Sequence, residues 1–232
     1  MMINEKTLRL WQTFETEPAL SGFVLVGGTA LALQIGHRDS EDIDLAFTHS
    51  LLPKKRVALF AGKQGLVPAD RVEDIEDFID AGLDLFDHQR NFLSPKGVKV
   101  SFFAPEAALS PILSAYCGHQ RPMVASVHDI FKMKALVSAS RSKSRDWYDL
   151  YVLMNEHGYT MRDFESAFIQ SGHAMAMDIA LSRLKSGKVD PRDEGFLVTK
   201  GEAPSIKKMA DFFKSMADDY FCGKATQPNR FH

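Results

Sequence analysis

Cysteine is scarce in this chain. Cys117 and Cys222 are the only two among 232 residues. Their spacing suits neither a zinc site nor a disulfide framework, so a disulfide-stapled scaffold is excluded and a reducing, cytoplasmic setting is expected. Long apolar runs are also missing. No stretch reaches the roughly 18 residues that a membrane-crossing helix needs. Met1 to Trp11 mix polar and apolar types, which does not read as a signal peptide. Charge of one sign is absent as well: 28 Lys and Arg stand against 30 Asp and Glu, a formal net charge of −2. Any nucleic acid must therefore be held by local patches rather than by a global field. The eight histidines show no His-x-x-x-His spacing. There is no Gly-x-Ser-x-Gly elbow and no Gly-x-x-x-x-Gly-Lys loop, and Gly27-Gly28 is too short for a dinucleotide fingerprint. Internal repeats and low-complexity tracts are lacking too. What remains, 45% hydrophobic and 25% charged residues, is the composition of a globular protein with one large or two small domains.

What the chain does have is concentrated near residue 30. An apolar strand, Val24-Leu25-Val26, breaks at Gly27-Gly28, and a helix begins. A second strand then carries Asp42 and Asp44 one residue apart. Side chains on a strand alternate between faces, so the two carboxylates share one face and Ile43 and Leu45 take the other. Adjacent carboxylates repel unless a cation lies between them. A glycine turn that opens a helix offers backbone N–H groups to an anion. Together these features point to a metal–triphosphate site.

The pattern along the chain predicts a mixed α+β fold: a small αβ unit over 1–126, then a mostly helical unit over 127–232 with a loop or hairpin near 187–204. In the first unit a helix is expected over 5–20 and a strand at Phe23–Val26. A helix follows at Thr29–Ile35, stopped by Gly36, then a strand at Asp42–Phe47 and a helix at Pro53–Gly62. Leu83 to Asp87 alternates in part and reads as a strand. It forms a hairpin with Val98–Phe103 across the Ser94-Pro95-Lys96-Gly97 turn. Pro105–Tyr116 is helical in its second half, and Met123–Val127 is a short strand. A last helix spans Ser205–Phe221 with Ser205 as its N-cap, and Gly223–His232 is a loose tail. Lys54-Lys55-Arg56 and Lys207-Lys208 read as solvated helix faces.

A second group of chemistry-bearing residues lies at 128–154. Wound as a helix, His128–Arg141 puts Ile130, Met133 and Val137 on one face, with Lys134 beside that face and Lys132 roughly opposite. An inward lysine is costly unless a carboxylate or anion meets it, which singles out Lys134. On the next helix Asp146 and Asp149 are three apart and share a face. Asp146 also suits a first-turn carboxylate that complements the helix dipole, and Asp149 a partner for Arg145 or Arg141. Trp147, Tyr148 and Tyr151 have helical spacing and read as core.

These strings resemble a known family. Gly-Gly, a spacer and Asp-x-Asp is similar to the signature of the DNA polymerase β-like nucleotidyltransferase superfamily. The longer form, Gly27-Gly28-Thr29-Ala30-Leu31-Ala32-Leu33 with Arg38, Ser40 and Asp42-Ile43-Asp44-Leu45, resembles its AbiEii branch, found as toxins in bacterial toxin–antitoxin systems and abortive infection. Met133-Lys134, Arg141 and Arg145-Asp146-x-x-Asp149-Leu150-Tyr151 are similar to that branch's downstream motifs. The resemblance implies a metal-dependent nucleotidyltransferase that moves a nucleotide from an NTP to an acceptor, with RNA and specifically tRNA 3′ ends as that acceptor, and a separate antitoxin protein as partner. Asp42 and Asp44 would hold Mg²⁺ or Mn²⁺. Gly27, Gly28, Thr29, Arg38, Ser40 and Lys134 would face phosphate. Asp146 would assist proton transfer, with Asp149 and Arg145 in support.

One departure stands out. The superfamily carries a third carboxylate on a later strand, and here that position looks like Ser101. Asp84 or Asp87 could substitute, or Asp146 could assist. Otherwise the protein binds nucleotide, or a partner, without turnover. A protein or small-molecule hydroxyl as acceptor is a further alternative.

Overall fold

The computed structural model describes residues 3–199 and 201–225. Helix α1 (Glu5–Phe14) starts at Asn4, whose side chain accepts a hydrogen bond from the Lys6 N–H, and it buries Thr7, Trp11 and Phe14. The helix expected over 5–20 ends there. Pro18 lacks an N–H and biases its predecessor away from helical geometry. Glu17 is accordingly extended, and a 3-10 turn, Pro18–Leu20, leads into the sheet.

Strand β1 (Phe23–Val26) is buried along its whole length, and it passes without a loop into α2 (Gly27–Ile35), which Gly36 ends in the left-handed region. The helix thus begins two residues before the expected Thr29. Then come β2 (Ile43–Phe47), α3 (Lys54–Lys63) and β3 (Val67–Pro68). They are followed by α4 (Val72–Asp80), α5 (Leu85–His88), β4 (Gln89–Leu93) and β5 (Lys99–Phe103). Next are α6 (Ser110–Ser114), β6 (Met123–Val124) and α7 (Val127–Val137). Among the described residues the strands form one mixed sheet in the order β3-β4-β5-β2-β1-β6. β1 and β2 run antiparallel, β2 and β5 parallel, and β4 and β5 antiparallel.

One face of this sheet is aromatic. Val98, Val100 and Phe102 are all buried, as their alternation predicted. Phe102 is the hub, with ring centroids 5.4 Å from Phe23, 6.0 Å from Phe60 and 5.8 Å from Phe92. Burying these four rings is a large apolar contribution to this unit. The opposite face carries Asp44, Ser101 and Asn91 in register, beside the buried Val24, Val26 and Ala46.

The strand expected at Leu83–Asp87 is not formed. Asp84 accepts a hydrogen bond from the Phe86 N–H and caps the single turn α5 instead. The hairpin with β5 is made by β4, six residues further on, so Asp84 and Asp87 lie outside the strand next to Ser101. Both pair with Lys54, at 2.8 and 2.6 Å, on the surface. The strand expected at Met123–Val127 is only Met123–Val124, because Val127 already begins α7.

The chain divides into two compact units, Met1–Ile130 and Phe131–His232, with the division inside α7. The second unit is built on α8 (Ser144–Glu156), α9 (Met161–Gln170), α10 (Ala176–Ser186) and α11 (Ile206–Ala225). Its core contains Trp147, Leu150, Leu153, Phe164, Phe168, Leu184 and Phe213. Tyr151 packs edge-on against Phe212 at 4.9 Å and Tyr148 stacks on Phe196 at 4.4 Å, so these aromatics serve packing. Thr160 and Asp163 close a reciprocal capping box on α9. Ser205 Oγ accepts from the Lys208 N–H at the head of α11, as an N-cap does. Residues 223–225 of the expected tail belong to α11, and 226–232 lie outside the described residues.

Candidate active site

The first unit places its polar residues around the start of α2. No side chain caps this helix at Val26, so its first N–H groups are not taken up by a capping side chain. Gly27 has φ +71°, which a side chain would strain, and a Cβ there would lie 2.9 Å from Asp44 Oδ2. The Asp44 carboxylate therefore rests against the helix's first residue. Asp42 and Asp44 are half-buried, while Ile43 and Leu45 between and after them are fully buried, which is the alternation expected of a strand with two carboxylates on one face.

Arg38 is 4% exposed, and its guanidinium lies over Gly28: a Cβ on Gly28 would sit 2.2 Å from Nη2. Arg38 Nη1 also donates to the Asp39 carbonyl at 2.9 Å. A cation and a set of helix-start amides thus lie together, an arrangement suited to phosphate. Gly28→Ala must displace the guanidinium. The expected result is a rise of about tenfold in the apparent Kd for NTP with little change in Tm, measured by nucleotide titration and thermal melting.

Thr29 and Ser40 serve each other. The Thr29 hydroxyl donates to the Asp42 carbonyl and lies 2.8 Å from Ser40 Oγ. A hydroxyl has one proton, so Ser40 is the donor in the second bond. Both side chains are buried, and the pair ties the chain just ahead of β2 to α2. Their hydroxyls position Asp42.

Across the sheet Asp44 is in register with Ser101 of β5, and Ser101 with Asn91 of β4. The Ser101 hydroxyl donates to Asn91 Oδ1 at 3.0 Å. Asn91 was missed in the sequence, though counting back from the Ser94–Gly97 turn puts it opposite Ser101. Among the described residues no three His, Cys, Asp or Glu side chains gather as a metal-holding group. Mg²⁺ commonly takes one or two carboxylates and completes its shell with substrate phosphates and water. The Asp42–Asp44 pair with Asp44 against an uncapped helix start fits that donor set.

The second unit has its own buried charges. Lys134 is 5% exposed; its Nζ donates to Asp146 Oδ1 and lies 2.8 Å from Asp149 Oδ2. Arg141 Nε reaches the other Asp146 oxygen at 2.7 Å. The inward position of Lys134 was legible from the helical wheel, and the carboxylates that meet it are Asp146 and Asp149. Arg145 is 3.9 Å from Glu194. Burial disfavours the charged Asp146 carboxylate, but Lys134 and Arg141 outweigh it and hold its pKa below the ordinary aspartate value. A lowered pKa means that the pairing stabilises the fold fully above the ordinary value, about 3.9, and that this share is lost as the pH falls through the lowered one. Thermal melts from pH 7 to pH 2 are expected to show a loss of stability below about pH 4 that is smaller in Asp146→Asn than in the parent. Parallel curves would contradict it.

The profile of the nucleotidyl transferase AbiEii toxin family, of type IV toxin–antitoxin systems, matches residues 9–220. The chain belongs to that family. An uncharacterized protein of Aquifex aeolicus is 30% identical over 200 residues, 85% of this chain and 87% of its own length. Two solved structures are more distantly similar. A proposed nucleotidyltransferase from H. pylori has 17% identity and a TM-score of 0.47, over 97% of this chain and 100% of that one. MenT4, a nucleotidyltransferase toxin from Mycobacterium tuberculosis H37Rv, has 15% identity and a TM-score of 0.46, over 90% of this chain and 82% of that one.

Proposed function

We propose that this chain transfers a nucleotide from an NTP to an acceptor hydroxyl, with RNA, and tRNA 3′ ends in particular, as the acceptor class. The observation that carries the reading is the Asp44 carboxylate lying against Gly27 at the uncapped start of α2. A carboxylate beside a helix start that offers N–H groups supports the reading, because a metal-bound triphosphate requires a cation-binding group next to an anion-binding one. In the reaction the acceptor oxygen bonds to the α-phosphorus, the bond from that phosphorus to the pyrophosphate breaks, and the hydroxyl loses its proton.

Asp42 and Asp44 would hold Mg²⁺ or Mn²⁺, which supplies charge neutralisation for the phosphates when bound. Gly27 and Gly28 offer backbone N–H groups, and Arg38 presents its cation next to them. Thr29 and Ser40 fix Asp42 through its carbonyl. Lys134 as a phosphate contact and Asp146 as an aid to proton transfer remain roles that the resemblance assigns, with Asp149 and Arg145 in support. Family membership supports an antitoxin as protein partner. No helix among the described residues is long and apolar enough to cross a membrane, and a cytoplasmic location is part of the proposal.

The reading is tested by incubating purified protein with each α-labelled NTP, Mg²⁺ or Mn²⁺, and in separate reactions total tRNA, a protein pool or an aminoglycoside. Label on tRNA is the expected result. Label on protein or drug alone would change the acceptor class. No label in any lane would favour a nucleotide-binding protein without turnover, a reading that Ser101 in the third-carboxylate position motivates.

A further inference from the structure

The polar face of the sheet carries one row that runs Asp44, Ser101, Asn91 across three adjacent strands. The last two are buried, Ser101 at 8% and Asn91 at 6% exposed. A buried serine hydroxyl has one proton to give and lone pairs to offer. Here the proton is committed: it goes to Asn91 Oδ1, on the side away from β2. What the hydroxyl presents toward Asp44 is therefore its lone pairs. Asn91 is itself held firmly. Its N–H donates to Asp70 Oδ1 at 2.6 Å, and its carbonyl accepts from the Ala69 N–H at 2.8 Å. The other Asp70 oxygen takes Arg90 Nε at 3.1 Å, and the Asp70 side chain is only 5% exposed. Asp70 thus fixes β4 at the point where Asn91 meets Ser101.

We propose that Asn91 is a positioning residue that turns Ser101 into a neutral oxygen ligand beside Asp44, so that the metal site has three protein oxygens with a charge of −2 rather than three carboxylates. The inference rests on the metal–triphosphate reading of Asp42 and Asp44. By drawing the Ser101 proton away, Asn91 prevents the hydroxyl from donating to the Asp44 carboxylate, a bond that would compete with a cation for the same oxygen. It also means that the third position accepts hydrogen bonds and cannot take a proton, so the base for the acceptor hydroxyl lies elsewhere. Outer partners that orient a ligand commonly alter metal affinity about 10- to 100-fold when lost.

The test titrates Mn²⁺ alone into the full-length chain and reads bound ion by electron paramagnetic resonance, with thermal melts to confirm folding. Ser101→Ala is expected to weaken Mn²⁺ binding about tenfold, and Asn91→Leu by a similar factor although it leaves the serine in place. The double variant should be no weaker than either single one, because both remove the same oriented oxygen. Asn91→Asp keeps an acceptor for the serine proton and should restore binding to the parent level or above. If Asp44→Ala abolishes binding while Ser101→Ala and Asn91→Leu leave it unchanged, this inference is wrong and the metal reading stands. If Asp44→Ala leaves binding unchanged, or the parent holds no Mn²⁺, the metal reading fails and this inference with it. Additive losses in the double variant would overturn the role of Asn91 as acting through Ser101.

Discussion

Asp44→Ala is expected to lower nucleotide transfer by about 10³-fold or more while leaving the fold intact. A thousandfold loss corresponds to about 4 kcal/mol of transition-state stabilisation, the scale of a preorganised charge or metal ligand in an active site. Asp44 is the carboxylate against Gly27, and in the proposed reaction it would bring the cation to the phosphates at the start of α2. It is half-buried, between the fully buried Ile43 and Leu45, which carry the packing of β2. The melting temperature should fall by no more than a few degrees, since a single change that opens no large cavity and strands no buried charge costs about 1 kcal/mol. Single-turnover transfer with labelled NTP and thermal melting check both halves. Equal activity in parent and variant would remove Asp44 from the reaction.

Lys134→Met is expected to destabilise the second unit strongly. It removes the cation from between Asp146 and Asp149, which are 1% and 0% exposed, while Arg141 stays on Asp146. Breaking a buried pair from one side costs about 3–5 kcal/mol. For a chain of this size that is a fall of roughly 6–20 °C in Tm. Lys134→Met combined with Asp146→Leu and Asp149→Leu should recover most of that loss, because the expense lies in the stranded charges rather than in the missing lysine. Calorimetry on the three proteins checks it. A single variant as stable as the parent would mean that the carboxylates are not buried against the lysine in solution. A triple variant less stable than the single one would mean that the cluster's geometry matters more than its charge.

How much of this was legible in the sequence follows the range of the contacts involved. The glycine-opened helix and the Asp42–Asp44 strand depend on local alternation and turn chemistry, and both were read, with α2 beginning at Gly27 rather than Thr29. The inward Lys134 followed from helical periodicity, although its partners twelve and fifteen residues away came only from the structure. The third-carboxylate position at Ser101 was read by resemblance, and the register Asp44–Ser101 agrees with it. Asn91 escaped because Leu83 to Asp87 alternates over too few residues to decide between a strand and a turn. Asp84 settled it locally by capping α5. Once that segment was taken as the partner strand, Asp84 and Asp87 looked like replacements for the missing carboxylate, whereas both pair with Lys54. The helix α4 was also missed, although Val72, Ile75 and Ile79 recur at helical spacing, and β3 was missed because two residues carry no periodicity. The Asp70 contact with β4 joins residues about twenty apart and has no local signal at all.

The most direct test of the account is the coupling between metal and nucleotide in the first unit. The Kd of an α,β-methylene nucleoside triphosphate would be measured by calorimetry in EDTA and in Mg²⁺, for the parent and for Asp44→Ala. The account predicts binding at least about tenfold tighter with Mg²⁺ in the parent, a coupling of about 1.4 kcal/mol or more, and none in the variant. Affinity that is indifferent to Mg²⁺ in the parent, or a coupling that survives Asp44→Ala, would contradict it.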